Sequence, residues 1–317
     1  MAHAVQYRPV PTLICQSMPD FPPRPSTDRR SLLLAIVSAP LASACAVLPA
    51  AQSPGSSRFA DLEASLDGRL GVFALDTGSG KQVAWRGAER FPMCSTFKAI
   101  LAGAILERST RDSGLLARRI RYTSSDLVTY SPITEKHTGA GMLVSELCDA
   151  AVRYSDNTAA NLLLTLLGGP AGLTAYARNA GDDTFRLDRW ETDLNSALPG
   201  DPRDTSTPEA MTRHLFRLAL GTLLPKAQRL TLQDWLRRNT TGDTRIRAGV
   251  PVDWVVGDKT GTGAYGTAND TAVLWPPQQK PIVLTVFTTR REKDAEARSD
   301  VLASAARIVV ETLGASV

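Results

Sequence analysis

Ser95-Thr-Phe-Lys98 sets a hydroxyl and an amine one helical turn apart on the same side of a helix. A serine hydroxyl is a poor nucleophile at neutral pH and needs an adjacent base. A lysine serves when burial and neighbouring positive charge lower its pKa. Backbone N–H groups at a helix N-terminus also favour developing negative charge. Two further short motifs follow in order, Ser155-Asp-Asn157 and Lys259-Thr-Gly261. Between them, Arg189-Trp-Glu-Thr-Asp-Leu-Asn195 places Glu191 and Asn195 in one polar segment. A carboxylate and an amide together can hold one water as a nucleophile, with Glu191 as its general base. Nucleophile, amine, hydroxyl, water-activating carboxylate and a cation on a later strand make a set suited to acyl transfer followed by hydrolysis.

The elements that must position these residues can be read from periodicity. A helix over Arg58–Leu66 precedes a strand, Leu70–Asp76, and the turn Thr77-Gly-Ser-Gly80 leads to a second strand, Gln82–Trp85. A long helical stretch follows. Phe97, Ile100, Leu101, Ala104 and Ile105 recur at helical spacing after the candidate nucleophile. Asn157–Leu167 reads as a helix stopped by Gly168-Gly169, with Pro170 in the first turn of the next. Thr207 caps a helix that starts at Pro208. Strands return at Trp254–Lys259, Asp270–Leu274 and Pro281–Thr289, and Glu292–Leu313 closes the chain as an amphipathic helix. Strands at both ends of a helical middle predict an α+β fold in two parts. Residues 52–90 and 240–317 would form an α/β sandwich domain with an antiparallel sheet, and residues 91–239 an inserted all-helical domain. The first two motifs would then line one wall of a cleft and the sheet edge the other.

The chain has 317 residues, 43% hydrophobic and 21% charged, with 36 basic and 32 acidic side chains well mixed. That balance is ordinary for a soluble globular protein, and no basic tract with interleaved aromatics suggests nucleic acid. Residues 1–51 read as an export signal and linker. Arg29-Arg30 precedes an apolar stretch, Leu32–Leu48, interrupted by Pro40. The arginine pair fits the twin-arginine route. Leu41-Ala-Ser-Ala-Cys45 fits a lipoprotein cleavage site with Cys45 acylated, and cleavage after Ala44 or Ala46 is the competing reading. Membrane contact would be through that lipid anchor alone, and the protein would be periplasmic. Cys94 and Cys148 in the body are either two buried thiols or a disulfide.

Taken in order, the four motifs identify the chain as resembling class A serine β-lactamases, over roughly residues 55–315, in their Pen-type, broad-spectrum and carbapenemase-like branch. The resemblance implies the penicillin-recognising, transpeptidase-like fold and no cofactor or metal. It implies that Ser95 is the nucleophile and that Lys98 and Glu191 handle its proton. Glu191 and Asn195 activate the deacylating water, and Ser155 relays a proton to the leaving nitrogen. Asn157, Lys259, Thr260, Gly261 and Thr262 contact the substrate, and Tyr130 walls the cleft mouth. The backbone N–H groups of Ser95 and Thr262 would form the oxyanion hole. Arg189 and Asp204 resemble an ion pair closing the loop that carries Glu191.

Two departures stand out. Where many members carry an arginine after Lys-Thr-Gly, this chain has Ala268, and Arg245 resembles the replacement, with Arg247 close by. Some carbapenem-hydrolysing members join the cysteine before the nucleophile to a second cysteine where this chain has Gly263. Cys94, Trp190 and Thr262 still resemble that branch. The implied substrates are penicillins, cephalosporins and carbapenems, taken by a monomer.

Competing signals are weaker. Gly261-Thr-Gly-Ala-Tyr-Gly266 matches a dinucleotide-binding pattern but is followed by strand-forming residues instead of a helix. His137 and His214 are the body's only histidines, which disfavours a His-based triad or metal site. Asn239-Thr-Thr241 is a formal glycosylation acceptor and nothing more. The rival function is a D,D-peptidase or penicillin-binding protein, which shares the serine and lysine but lacks a base for the deacylating water. A sensor that acylates once is the non-enzymatic rival.

Overall fold

A computed structural model describes residues 55–314. The leader readings at Arg29, Arg30 and Cys45 lie outside the described residues. Five long strands, β1 (Gly68–Asp76), β2 (Gln82–Trp85), β3 (Val255–Gly263), β4 (Thr267–Trp275) and β5 (Ile282–Arg290), form one sheet in the order β2-β1-β5-β4-β3. Every neighbouring pair is antiparallel. The eight α-helices among the described residues are α1 (Ser56–Leu66), α2 (Phe97–Arg108), α3 (Val144–Arg153), α4 (Asn157–Leu167), α5 (Gly169–Asn179), α6 (Pro208–Ala219), α7 (Lys226–Arg237) and α8 (Ser299–Leu313).

Side chains alternate across a strand, and here both faces of the sheet are buried. Ile282, Leu284 and Val286 of β5 join Leu70, Val72 and Ala74 of β1 in a core shared with α1 and α8. Val283 and Phe287, on the opposite face, belong to a larger core made mainly by α2 to α7. Burial of both faces explains why β5 reads as a nearly unbroken apolar run from Ile282 to Phe287. Thr212 of α6 reaches the sheet face and donates to Phe73 O at 3.1 Å.

Local signals position the helices. Thr207 Oγ1 accepts from Ala210 N at 3.1 Å and caps α6. Gly168 ends α4 at φ 88°, and Pro170 occupies the first turn of α5. Two expected boundaries need correction. The strand expected to stop at Lys259 continues as β3 through Thr260, Gly261 and Thr262 to Gly263, because β4 pairs with it throughout, Gly261 opposite Asn269 and Gly263 opposite Thr267. The last helix starts at Ser299, not Glu292. The intervening carbonyls are taken from outside: Lys293 O accepts from Tyr265 N at 2.8 Å, and Glu296 O from Arg290 at 3.3 Å.

Candidate active site

The nucleophile motif sits where a short 3-10 turn, Cys94–Thr96, runs into α2. Cys94, just before the serine, has φ 46°, a left-handed conformation that costs a non-glycine residue energy. Gly261 allows β3 to press against this turn. A Cβ there would lie 2.8 Å from Met93 O and 3.1 Å from Ser95 N.

Lys98 is fully buried one turn along α2. Its Nζ contacts three acceptors: Ser155 O at 2.8 Å, Asn157 Oδ1 at 2.6 Å and Glu191 Oε1 at 2.9 Å. These match the three N–H bonds of an ammonium. Burial pushes the Lys98 pKa below the ordinary lysine value, against the opposing pull of Glu191. Ser95 Oγ donates to the same carboxylate oxygen, Glu191 Oε1, at 3.1 Å. The other oxygen, Oε2, accepts from Asn195 Nδ2 at 2.6 Å. Asn195 Oδ1 is buried with no partner among the described residues.

The segment carrying Glu191 is fastened at its ends and middle. Arg189 Nε donates to Asp204 Oδ2 at 2.5 Å, while Asp204 Oδ1 accepts from the backbone N–H groups of Asp188 and Arg189. Asn161, one turn beyond Asn157 on α4, clamps the main chain of Glu191 in both directions. Its Oδ1 accepts from Glu191 N at 3.0 Å and its Nδ2 donates to Glu191 O at 2.9 Å. The Glu191–Thr192 peptide bond is cis.

The Ser155-Asp-Asn157 motif opens α4. Buried Asp156 caps the helix through Ala159 N and also accepts from the N–H of Ile133 and Thr134. That holds the 130s segment against the helix, so that Asn157 Nδ2 donates to Thr129 O at 2.8 Å. Tyr130, 58% exposed, stands beside the cleft with φ 65°, and Ser155 has φ 58°.

β3 supplies the facing wall. Lys259 is fully buried, donating to Ser155 Oγ at 3.1 Å and Thr260 O at 2.8 Å. Burial first, and then the charge of Lys98, lower its pKa to about 7. Arg245 reaches the strand: its guanidinium donates to Gly261 O, Asn269 O and, at 2.7 Å, Thr262 Oγ1. Arg247 instead turns to Asp258 at 2.6 Å. Ala268, opposite Thr262 on β4, leaves that space to Arg245. Ser95, Ser155, Asn157, Asn195, Tyr130, Arg245 and Thr260–Thr262 all line one cleft of about 320 Å³. Glu191, Lys98 and Lys259 lie just beneath, each bonded to a lining residue.

Several residues here escaped the sequence reading. Thr241 lines the cleft with its hydroxyl 2.5 Å from that of Thr260. It lies within the tripeptide set aside as a glycosylation acceptor. Asp258 on β3 and Asp270 on β4, both fully buried, have carboxyl pKa values raised by burial. Asp270 is raised the more strongly, because Asp258 adds like-charge repulsion, and its Oδ2 accepts from Ile246 N beside Arg245. No sequence motif marks them. Both sit among polar neighbours, Asp258 before Lys259-Thr260 and Asp270 between Asn269 and Thr271, so nothing in the sequence sets them apart. Cys94 and Cys148 are free, buried thiols. His214 is buried against Asp182 at 2.9 Å, a structural pairing remote from the cleft motifs. Among the described residues no group of His, Cys, Asp and Glu side chains could hold a metal ion.

Comparison with known proteins gives the same picture. The model of the β-lactamase enzyme family matches residues 55–313. The carbapenem-hydrolyzing β-lactamase KPC of Klebsiella oxytoca is 56% identical, covering 91% of this chain and 98% of its own length. β-Lactamase AST-1 of Nocardia asteroides is 52% identical, covering 90% and 96%. A crystal structure of a β-lactamase from Desulfarculus baarsii superposes with TM-score 0.81 at 61% identity, covering 82% of this chain and 97% of that one. A mutant of the class A β-lactamase of the last common ancestor of Gram-negative bacteria gives TM-score 0.80 at 57% identity, covering 82% and 98%. The motif order, the cleft that joins the motifs and these matches agree: the chain belongs to the class A β-lactamases, hydrolases that open the β-lactam ring and confer antibiotic resistance.

Proposed function

We propose that Ser95 carries the acyl group, and that penicillins, cephalosporins and carbapenems are the substrates. The observation that carries the reading is the sharing of Glu191. Its Oε1 accepts from Ser95 Oγ and Lys98 Nζ, and its Oε2 from Asn195 Nδ2. In the first half-reaction Ser95 Oγ attacks the lactam carbonyl, and its proton leaves through the Lys98–Glu191 pair. The C–N bond breaks, and that proton is passed on through Ser155, held by Lys259, to the ring nitrogen, which restores the Ser155 hydroxyl and the Glu191 carboxylate. The oxyanion is held by the N–H groups of Ser95 and Thr262. In the second half-reaction Glu191 removes a proton from a water that Asn195 orients, and the ester on Ser95 is hydrolysed. Lys259, Thr260, Thr262 and Arg245 would receive the substrate carboxylate, Asn157 its side-chain amide, and Tyr130 its body. Gly261 keeps the strand close enough to serve as the platform. Carbapenem turnover draws support from the named activity of the KPC relative.

The division into an α/β domain (52–90 and 240–317) and a helical domain (91–239) is supported by an apolar cluster on one face of the sheet whose buried residues all come from 52–90 and 240–317. An exported, periplasmic monomer, with or without a lipid on Cys45, is the reading that the leader's sequence and the family resemblance support.

Nitrocefin hydrolysis by the parent and by Glu191→Ala, with mass spectrometry after quenching, tests the mechanism. Turnover in the parent, with a penicillin adduct accumulating on Ser95 only in the variant, is expected. A parent that is itself trapped as a stable adduct would make the protein a sensor or a peptidase and would overturn the role of Glu191.

A further inference from the structure

The segment that carries Glu191 and Asn195 has a second side. Beyond Asn195 it runs through Ala197 to Pro202 and lines a groove of about 750 Å³, more than twice the volume of the catalytic cleft. The remaining lining comes largely from the ends of β1 and β5 and includes Arg69, Arg86, Arg90, Arg290 and Arg291. Five guanidinium groups around one groove invite an accounting of their partners. Arg69 and Arg86 are paired, with Glu89 at 2.7 Å and Glu63 at 2.8 Å. Arg291 is paired loosely, 3.5 Å from exposed Asp67. Asp201, the acidic residue of the lining, is engaged by Arg203 at 2.7 Å and Arg189 at 3.7 Å.

Arg90 and Arg290 have no carboxylate partner among the described residues. Arg90 donates to Thr205 Oγ1 at 3.0 Å and Thr205 O at 3.4 Å, and Arg290 to Leu66 O at 3.0 Å and Glu296 O at 3.3 Å. Both keep further N–H groups, since a guanidinium has five. The lining from Ala197 to Pro202 is apolar apart from Asp201. Leu198 is 42% exposed there, and Pro199 and Pro202 belong to the same lining. Forked donors without a carboxylate, in one groove with exposed apolar side chains and an acid already paired elsewhere, complement a ligand that is anionic at one end and apolar at the other.

We propose that this groove binds a small amphipathic organic anion, one acidic group carried on an apolar ring, and that its occupancy is felt by the catalytic loop. The coupling is short. Ser196, two residues before the exposed Leu198, accepts from Arg189 at 2.8 Å, and Asn195 O accepts from Ala264 N at 2.9 Å next to β3. A ligand pressing on the 197–202 side shifts the freedom of Asn195 and Glu191, a consequence that rests on the catalytic reading above. The binding itself does not.

Anilinonaphthalene sulfonate, which has this chemistry and fluoresces when shielded from water, is the probe. The folded protein should bind it saturably and with one-to-one stoichiometry. Affinity should fall about tenfold or more in the Arg90→Gln/Arg290→Gln double variant, and fall similarly in Leu198→Asp, whose exposed position leaves folding intact. In nitrocefin assays the probe should lower kcat with KM unchanged. Absence of saturable binding, or undiminished binding in both variants, would overturn the site. A purely competitive effect on nitrocefin would place the probe in the catalytic cleft and overturn it as well. Saturable, arginine-dependent binding with no effect on kcat would overturn the coupling alone.

Discussion

Each wall of the cleft centres on a fully buried lysine, and the two are held differently. Lys98, on the helical wall, has a carboxylate, an amide oxygen and a carbonyl for its three N–H groups. Lys259, on the strand wall, has a hydroxyl and its neighbour's carbonyl and, among the described residues, no carboxylate contact. The first arrangement is closed on itself, with every proton assigned, as a relay requires. The second leaves a cation short of countercharge at the floor of the cleft, and an incoming carboxylate supplies it. Two copies of one side chain are thus set to different tasks by their acceptors, since a lysine's charge and pKa answer to burial and partners.

The comparison yields a graded set of expected outcomes. Lys98→Ala should have the largest effect, lowering kcat/KM for nitrocefin by about a thousandfold or more, because it removes the relay and leaves buried Glu191 without its cation. Retention of near-parent activity would erase the distinction between the walls. Arg245→Ala acts on the anion-holding wall and should raise KM for a penicillin about tenfold or more while kcat changes little. A fall in kcat alone would assign Arg245 to chemistry instead.

Acidity sharpens the contrast further. A lysine pKa of about 7 means that Lys259 is cationic below that pH and neutral above it. The kcat/KM profile, which reports the free enzyme, should therefore decline as pH rises through about 7. A profile flat to the ordinary lysine range would show that Lys259 keeps its proton throughout. The smallest effect concerns the seam between the walls. A Cβ on Gly263 would meet Cys94 Sγ and Asn195 O at 2.7 Å each. Gly263→Ala should cost about 1–3 kcal/mol and lower Tm by several degrees in thermal melts.

The parts of this design that are legible in the sequence are those where function needs residues close together in the chain. Ser95 and Lys98 announce themselves by helical spacing, and Glu191 with Asn195 by a shared polar segment. Thr207 and Gly168 mark helix ends through local hydrogen bonding and backbone freedom. What stays hidden depends on contacts across the fold. That Arg245 and not Arg247 reaches Thr262 is decided by where residues 242–247 turn, and family resemblance alone suggested it. Asn161 reads as one more polar residue on α4 until it is seen holding Glu191 at both ends. Asp258 and Asp270 look like exposed strand residues, because sequence carries no measure of the burial that alters them. The extent of β3 was underestimated for a similar reason. Its glycines look like terminators, yet close packing against Met93 and Ser95 requires them.

The clasp between Arg189 and Asp204 has an evolutionary consequence. It pins both roots of the segment that bears Glu191, and Asn161 pins its main chain at the base itself. Residues 197–203 hang beyond those fixed points and are mostly solvent-exposed. Insertions and exchanges at that tip change how freely Asn195 and Glu191 move while Asn161 keeps the main chain of Glu191 in place. Descendants of this sequence can therefore vary the tip, and with it the tuning of the loop, while inheriting the position of the carboxylate.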